Sequence, residues 1–399
     1  MAKTFLGGIP LGMTAITSPV PTPLTPRKLC FRLPPDALLQ VEKGTEVLCH
    51  TLLSRSPNVF SGACGTVQAV IKEEKHILLV IATDPSRTDR APTLQKLEGR
   101  LGDKSEEELA EAMLACGITP PTLAENGGRA LIVRCFADVE DDPTPAALCE
   151  YDPVAVVGGA KILMKYAGVT RGYLAVAADT LSTARALEGC LARKDKLLRV
   201  VLLRNKYPQT EEHLLVSTVC DVEVHPKTDV ASRGFYVVSP TLCQAVYYGL
   251  VKGYPASETF VTRIEEQSEL LTVPIGTPYS ELLPSATRIV ASRGGRFFEV
   301  SPGDAVDLTI EAVKPYPVAS SPLVPLPCLY CGRCVEVCPT GLMPHLLYRA
   351  AVRGDASRLR ALDVDNCLLC GCCEAICPSS IPLSEIFDTV MHRKEEAPL

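Results

Sequence analysis

Cys328-Leu329-Tyr330-Cys331-Gly332-Arg333-Cys334-Val335-Glu336-Val337-Cys338-Pro339 is followed by Cys367-Leu368-Leu369-Cys370-Gly371-Cys372-Cys373-Glu374-Ala375-Ile376-Cys377-Pro378. Each stretch spells Cys-x2-Cys-x2-Cys-x3-Cys-Pro. Three cysteines two residues apart lie on a tight loop that can present three thiolates to one iron–sulfur cubane. The fourth, three residues further and followed by proline, faces away from that cubane, and in two-cluster ferredoxins it ligates the other cluster. The spacing therefore assigns one [4Fe-4S] cluster to Cys328, Cys331, Cys334 and Cys377, and a second to Cys367, Cys370, Cys373 and Cys338. Zinc sites take paired Cys-x2-Cys knuckles rather than runs of four closed by Cys-Pro, and a disulfide framework needs an oxidising compartment. Cys372, a ninth cysteine in this region, reads as a bystander. Two adjacent clusters point to passage of single electrons, in a direction the spacing leaves open.

Working outward, the chain has 399 residues and a net charge of −6. That length suits two to four domains. No cluster of Lys and Arg stands out, which argues against nucleic acid as a partner. Met1 to Met13 carries one Lys and no long apolar run, so no secretory signal is expected. The best apolar run, Val154 to Ala160, is far short of the roughly 18 residues of a membrane span, and the expectation is a soluble or peripheral protein. Nine of the 18 cysteines stand between Cys328 and Cys377. The others, Cys30 to Cys243, are scattered singly, as in a reducing cytoplasm.

Before the cluster region the pattern changes three times. Residues 1 to about 90 begin proline-rich and then read as short strands around glycine turns, through Val41 to Val47, Ser61 to Val70 and Lys75 to Ile81, which suggests a small sandwich. Ser105 and Glu108 form a capping box for a helix to about Ala115. There follow a buried-looking strand from Ala130 to Val133, a helix beginning near Pro153, a strand from Gly172 to Ala177, a helix from Ser182 to Ala192 and a strand from Leu197 to Leu203. Pro208 is expected to open a further helix, with strands near Asp221 to Val224 and Phe235 to Val238 after it. Strands alternating with helices predict a mostly parallel α/β sheet. From about Glu258 a strand-rich α+β module is expected: Leu270 to Pro278, a short helix at Tyr279 to Leu283, and strands near Arg288 to Ala291 and Ala305 to Val313. The proline-rich run from Lys314 to Pro327 reads as a linker. A helix from about Pro344 to Arg353 is expected to pack the two cluster halves together.

This order resembles the C subunit of the Rnf ferredoxin:NAD oxidoreductase and its soluble relatives, among them the cobalamin reductase of propanediol microcompartments and the electron-transfer protein associated with proline reductase. The matching pieces are Phe5-Leu6-Gly7-Gly8-Ile9, Cys64-Gly65-Thr66-Val67, Tyr207-Pro208 and Pro274-Ile275-Gly276-Thr277. To these are added Cys331 to Pro339 and the run Cys377-Pro378-Ser379-Ser380-Ile381-Pro382-Leu383. The resemblance implies a multidomain α/β and α+β chain. Its parts would be a barrel-sandwich domain (residues 1–100), a Rossmann-like α/β domain (101–256), a β-grasp (SLBB-like) domain (257–313), a linker (314–327) and a dicluster ferredoxin-like helical domain (328–399). It also implies FMN and NADH on the Rossmann-like domain, held by a loop of the form Gly-Gly-Ala-Gly-Phe-Pro-Thr with a lysine soon after. Such a loop binds phosphate through bare backbone N–H groups.

Here the corresponding stretch is Cys116-Gly117-Ile118-Thr119-Pro120-Pro121-Thr122-Leu123-Ala124-Glu125. It keeps one glycine, places two prolines without N–H groups, and has Glu125 near the lysine position. Gly117, Asp138 and Glu140 are the residues that could still contact a flavin or NADH. Asp138, Glu140, Asp141 and Asp142 read equally as a solvated acidic loop. Gly158-Gly159-Ala160 lacks dinucleotide-loop spacing and reads as close helix packing. Cys64, where relatives have serine, is a candidate redox thiol if it is exposed and its pKa lowered, and an inert small side chain otherwise. No hydrolase-type triad is present. The expectation is an iron–sulfur electron-transfer subunit, cytoplasmic or peripheral at the membrane's inner face. It would pass electrons between a donor and a partner oxidoreductase, with ferredoxin, a flavoprotein, a terminal reductase or membrane Rnf-type subunits as partners. The alternative is a flavin-containing oxidoreductase fed by NADH.

Overall fold

The computed structural model describes residues 2–11, 20–138, 142–192, 197–316 and 324–396. Its centre is a four-stranded parallel sheet in the order Leu198–Leu203, Gly172–Ala177, Ala130–Arg134, Phe235–Val238. The chain order reverses between Ala130–Arg134 and Phe235–Val238, which opens a crevice at the carboxyl ends of those two strands. The strands Ala130–Arg134 and Gly172–Ala177 are buried along their whole length, as parallel strands covered on both faces must be. One face packs Pro153–Tyr166, Leu181–Gly189 and the helix beginning at Pro240. The other face packs Glu212–Cys220.

Several elements depart from the expectations above. The helix after Pro208 starts only at Glu212, where the Glu211 carboxylate caps the backbone N–H of Leu214. The strand expected near Asp221 to Val224 is irregular, and Val222 and Val224 pack on the core without pairing. Helices Thr144–Tyr151 and Pro240–Tyr247 carried too little polar alternation to be read, because both are mostly buried. Gly158 and Gly159 do serve packing. A side chain on Gly159 would start 1.7 Å from the Cys243 carbonyl oxygen, so only glycine lets Pro153–Tyr166 lie against the helix from Pro240.

Around this centre stand three further layers. Residues 28–83 form a four-stranded antiparallel sheet and a three-stranded sheet around a shared core of Leu29, Leu53, Leu79 and Ile81. A six-stranded sheet runs Arg296–Val300, Ile289–Arg293, Ala312–Pro315, Glu258–Ile264, Ser268–Pro274, Thr22–Pro23, its last strand contributed by the N-terminal region. The strand expected over Ala305 to Val313 shortens to Ala312–Pro315, with Ala305 making only an isolated bridge to Pro278. Residues 324–396 are helical, with Pro344–Val352, Ala356–Ala361 and Leu383–Glu396 around Leu347, Leu359 and Phe387. An N-terminal strap ties the layers: Ile9–Pro10 pairs antiparallel with Lys206–Tyr207 beyond the end of Leu198–Leu203.

Candidate functional site: two cysteine-lined cavities beside a parallel sheet

The two cysteine stretches adopt the same backbone. Tyr330 and Leu369, each two residues after the first cysteine, have φ of 54° and 52°, and Gly332 and Gly371 have φ of 81° and 78°. These left-handed residues wrap the loop inward, and glycine takes the second position at no steric cost. One short helical turn follows each, Arg333–Glu336 and Cys372–Ala375.

The fold joins cysteines from both stretches. One cavity is lined by Cys328, Cys331, Cys334 and, from the other stretch, Cys377. A second is lined by Cys367, Cys370, Cys373 and, again from the other stretch, Cys338. Among the described residues no three Cys, His, Asp or Glu side chains converge as they would on a single ion. A cubane, with irons at separate corners, spaces its thiolates more widely. The all-thiol donor sets therefore suit iron–sulfur clusters. Burial pushes the Cys367 thiol up to about 11 and Cys373 up to about 12, so iron binding releases protons from thiols that burial otherwise keeps protonated.

The cavities differ in surroundings. The second faces the sheet: the Tyr207 hydroxyl donates to the Cys370 carbonyl at 2.7 Å, and burial pushes that phenol up to about 12. The strap crosses the same place. Gly8 N–H donates to the Val337 carbonyl at 2.9 Å, and a side chain on Gly7 would begin 2.6 Å from the Cys338 carbonyl oxygen. Lys206 fixes the strap by donating to the carbonyls of Phe5 and Gly7, with its ammonium 3.8 Å from the Phe5 ring centre. Cys372 is buried and lines this cavity. Its thiol lies 3.9 Å from the Tyr207 carbonyl, the outer edge for sulfur, and its hydrogen bond to Cys370 holds that thiol down to about 7. The first cavity faces outward, with Cys331 exposed and Leu329 and Tyr330 69 % and 58 % exposed beside it.

The residues expected to bind nucleotide do not come together. Gly117, φ 77°, ends the helix Glu106–Ala115 and packs on Asn58 and Phe60 of the antiparallel layer. The loop after it is held by the Tyr166 hydroxyl on the Pro121 carbonyl and by Ala124 N–H on the Tyr236 hydroxyl, each 3.0 Å. Tyr166 ends the helix that returns to where the strands begin, so this loop lies away from the crevice. Asp138 stands at the crevice, taking hydrogen bonds from Thr210 N–H and hydroxyl at 2.8 and 2.6 Å. Burial pushes its carboxyl up to about 6. Asp138 Oδ1, Asp179 Oδ1 and both side-chain polar atoms of Gln209 are buried without partners. Glu140 lies outside the described residues. Arg134 is buried, bonded to Glu311 and to the Phe136 carbonyl. A phosphate at the crevice would meet the carboxyl groups of Asp138 and Asp179. Cys64 is 2 % exposed, with its thiol on the Asp89 carbonyl at 3.0 Å, and is closed to solvent.

Comparison with known proteins matches two parts of the chain. The Nuo51 FMN-binding domain family matches residues 143–246, and the 4Fe-4S dicluster domain family matches residues 327–381. The chain is 25% identical over 202 residues to the C subunit of the Na(+)-translocating ferredoxin:NAD(+) oxidoreductase complex of Acetobacterium woodii, covering 47% of this chain and 45% of that protein. It is 26% identical to the C subunit of the ion-translocating oxidoreductase complex of Edwardsiella ictaluri, over 99% of this chain and 54% of that protein. The corresponding Methanosarcina acetivorans protein is 23% identical over 80% of each chain. The chain thus spans about half the length of the first two. A crystal structure of an NAD+-reducing [NiFe]-hydrogenase aligns over 75% of this chain and 62% of its own with a TM-score of 0.43 and 12% identity, a likeness too remote to bear on function. Among the described residues no helix is long and apolar enough to cross a membrane.

Proposed function

We propose that this chain, a relative of the Rnf-type C subunits, is an iron–sulfur electron-transfer subunit working between a single-electron donor and a partner oxidoreductase. The observation that carries the reading is the pair of adjacent cavities, each lined by three cysteines of one stretch and the fourth of the other. Cys328, Cys331, Cys334 and Cys377 hold one [4Fe-4S] cluster, and Cys367, Cys370, Cys373 and Cys338 hold the other. Bound there, each cluster accepts and releases one electron at a time. The chain's own residues position and shield that chemistry. Tyr207 and the Gly7–Gly8 strap close the second cavity on the sheet side, and Cys372 supplies a hydrogen bond to a ligand sulfur, a recognised lever on cluster potential. The finer layout that fits this reading is a barrel-sandwich part (1–100), a Rossmann-like part (101–256), a β-grasp part (257–313), a connector (314–327) and the dicluster part (328–399). The site of action is cytoplasmic or at the inner membrane face through partners.

A second reading, NADH oxidation through FMN on the parallel sheet, draws support from the Nuo51 FMN-binding domain match. The carboxyl-lined crevice and the displaced Gly117 loop speak against it. An anaerobic titration with NADH and then dithionite, followed by EPR, tests both. Reduction by dithionite alone, with no flavin in the purified protein, is the expected result. Reduction by NADH with bound FMN would replace the first reading by the second.

A further inference from the structure

We infer that the face around Cys331 is the docking surface for a small acidic single-electron carrier, such as an acidic ferredoxin. This rests on the electron-transfer reading above. The second cavity is closed off by Tyr207 and the N-terminal strap, so a soluble protein cannot approach it from that side. The first opens to solvent at Cys331, with Leu329 and Tyr330 exposed beside it.

The charge around that opening selects the carrier. Arg333 lines the opening, and Arg349 follows on the next helix and Arg353 at its end, with Glu336 and Asp355 the carboxylates nearest to them in sequence, in a chain of net charge −6. All three arginines are exposed, and among the described residues none makes an ion pair. The Arg349 guanidinium lies 5.7 Å from the Tyr330 ring centre, which fixes that cation beside the opening. Arg353, one helical turn further, continues the same face. An apolar centre with a rim of unpaired cations suits an acidic partner, because rim charges steer encounter while the centre excludes water. In each encounter one electron leaves the reduced member and enters the oxidised one, and no bond forms or breaks.

The test uses the full chain carrying both clusters, under anaerobic conditions, with an acidic 2[4Fe-4S] ferredoxin as probe and two readouts: binding by calorimetry and electron exchange by stopped flow. Binding is expected to weaken about tenfold or more as salt rises from about 50 to about 300 mM. Arg349→Glu combined with Arg353→Glu is expected to slow exchange about tenfold at low salt, with unchanged EPR spectra and unchanged reduction by methyl viologen. Arg353→Glu alone, away from Tyr330, is expected to give part of that loss should the double variant fail to assemble. Arg185→Glu, the same charge change on a remote exposed helix, is expected to do nothing. Wild-type binding in the Arg353→Glu variant, or insensitivity to salt, overturns the docking surface. Clusters that viologen cannot reduce overturn the electron-transfer reading itself, a distinct result.

Discussion

At the scale of single residues, the environment of the second cavity yields the sharpest expectations. Gly7 has φ 63°, and a side chain there would meet the backbone of Cys338 and Val337 rather than a movable side chain. Gly7→Ala is therefore expected to push Cys338 away from its cluster, and iron should fall from about eight to about four atoms per chain. Iron analysis with EPR checks this, and full retention of both signals would show that the strap yields instead. Cys372→Ala removes a hydrogen bond to a ligand sulfur. Such bonds stabilise the reduced, more negative cluster, so its midpoint potential is expected to move downward with the iron content unchanged. Redox titration of the second cluster's EPR signal reads this directly. The sequence marked Gly7, Gly8 and Tyr207 only as points of resemblance. Their contact with the cysteine loops needed the strap to be placed.

At the scale of elements, the seam between the parallel sheet and the six-stranded sheet is held by a buried polar network. Arg134 on Ala130–Arg134 bonds Glu311, and the Thr144 hydroxyl bonds the Glu311 carbonyl at 3.0 Å and also Thr262. Arg134 and Glu311 are both about 3 % exposed. Glu311→Ala strands a buried guanidinium and is expected to cost about 3–5 kcal/mol, seen as an earlier unfolding transition in urea. Asp142 belongs to the same seam: Thr144 N–H donates to it at 3.0 Å, its second oxygen is buried without a partner, and burial, with Glu311 nearby, pushes its carboxyl up to about 7. Because that value lies above the ordinary 3.8, the folded state holds the proton more tightly. Its contribution is fully present below the unfolded value and is lost as pH rises toward 7. Asp142→Asn should accordingly raise the melting temperature more at about pH 8 than at about pH 5, as scanning fluorimetry at both values would show.

At the scale of the whole molecule, the helical region is the part whose stability depends most on its metal. Its buried core is short, built on Leu342, Leu347, Leu359, Ile381 and Phe387, and cysteines including Cys328, Cys334, Cys373 and Cys377 pack against it. Without bound iron those cysteines add little, and small cores lean on such staples. Removing iron with a chelator is expected to expose residues 324–396 to trypsin while a large fragment ending before them survives. Equal resistance of the iron-free and iron-bound chains would show that the helices stand without clusters.

What could be decided by spacing along the chain was legible in the amino acids alone: the two cysteine stretches and the alternation of strand and helix from Ala130 to Val238. Each of these depends on neighbours a few residues apart, where backbone geometry alone selects the residue type. That Pro208 delays its helix to Glu212 was not legible, since a capping carboxylate and a turn compete locally with proline's preference. Nor were buried helices such as Thr144–Tyr151, whose composition reports burial rather than period. Which cavity faces the sheet, that Cys64 is closed and Arg134 paired, and that Gly117 lies away from the crevice were settled by packing in three dimensions. Burial, ion pairing and the approach of segments as distant as Gly7 and Cys338 depend on where the packed layers meet, and local spacing carries no record of that.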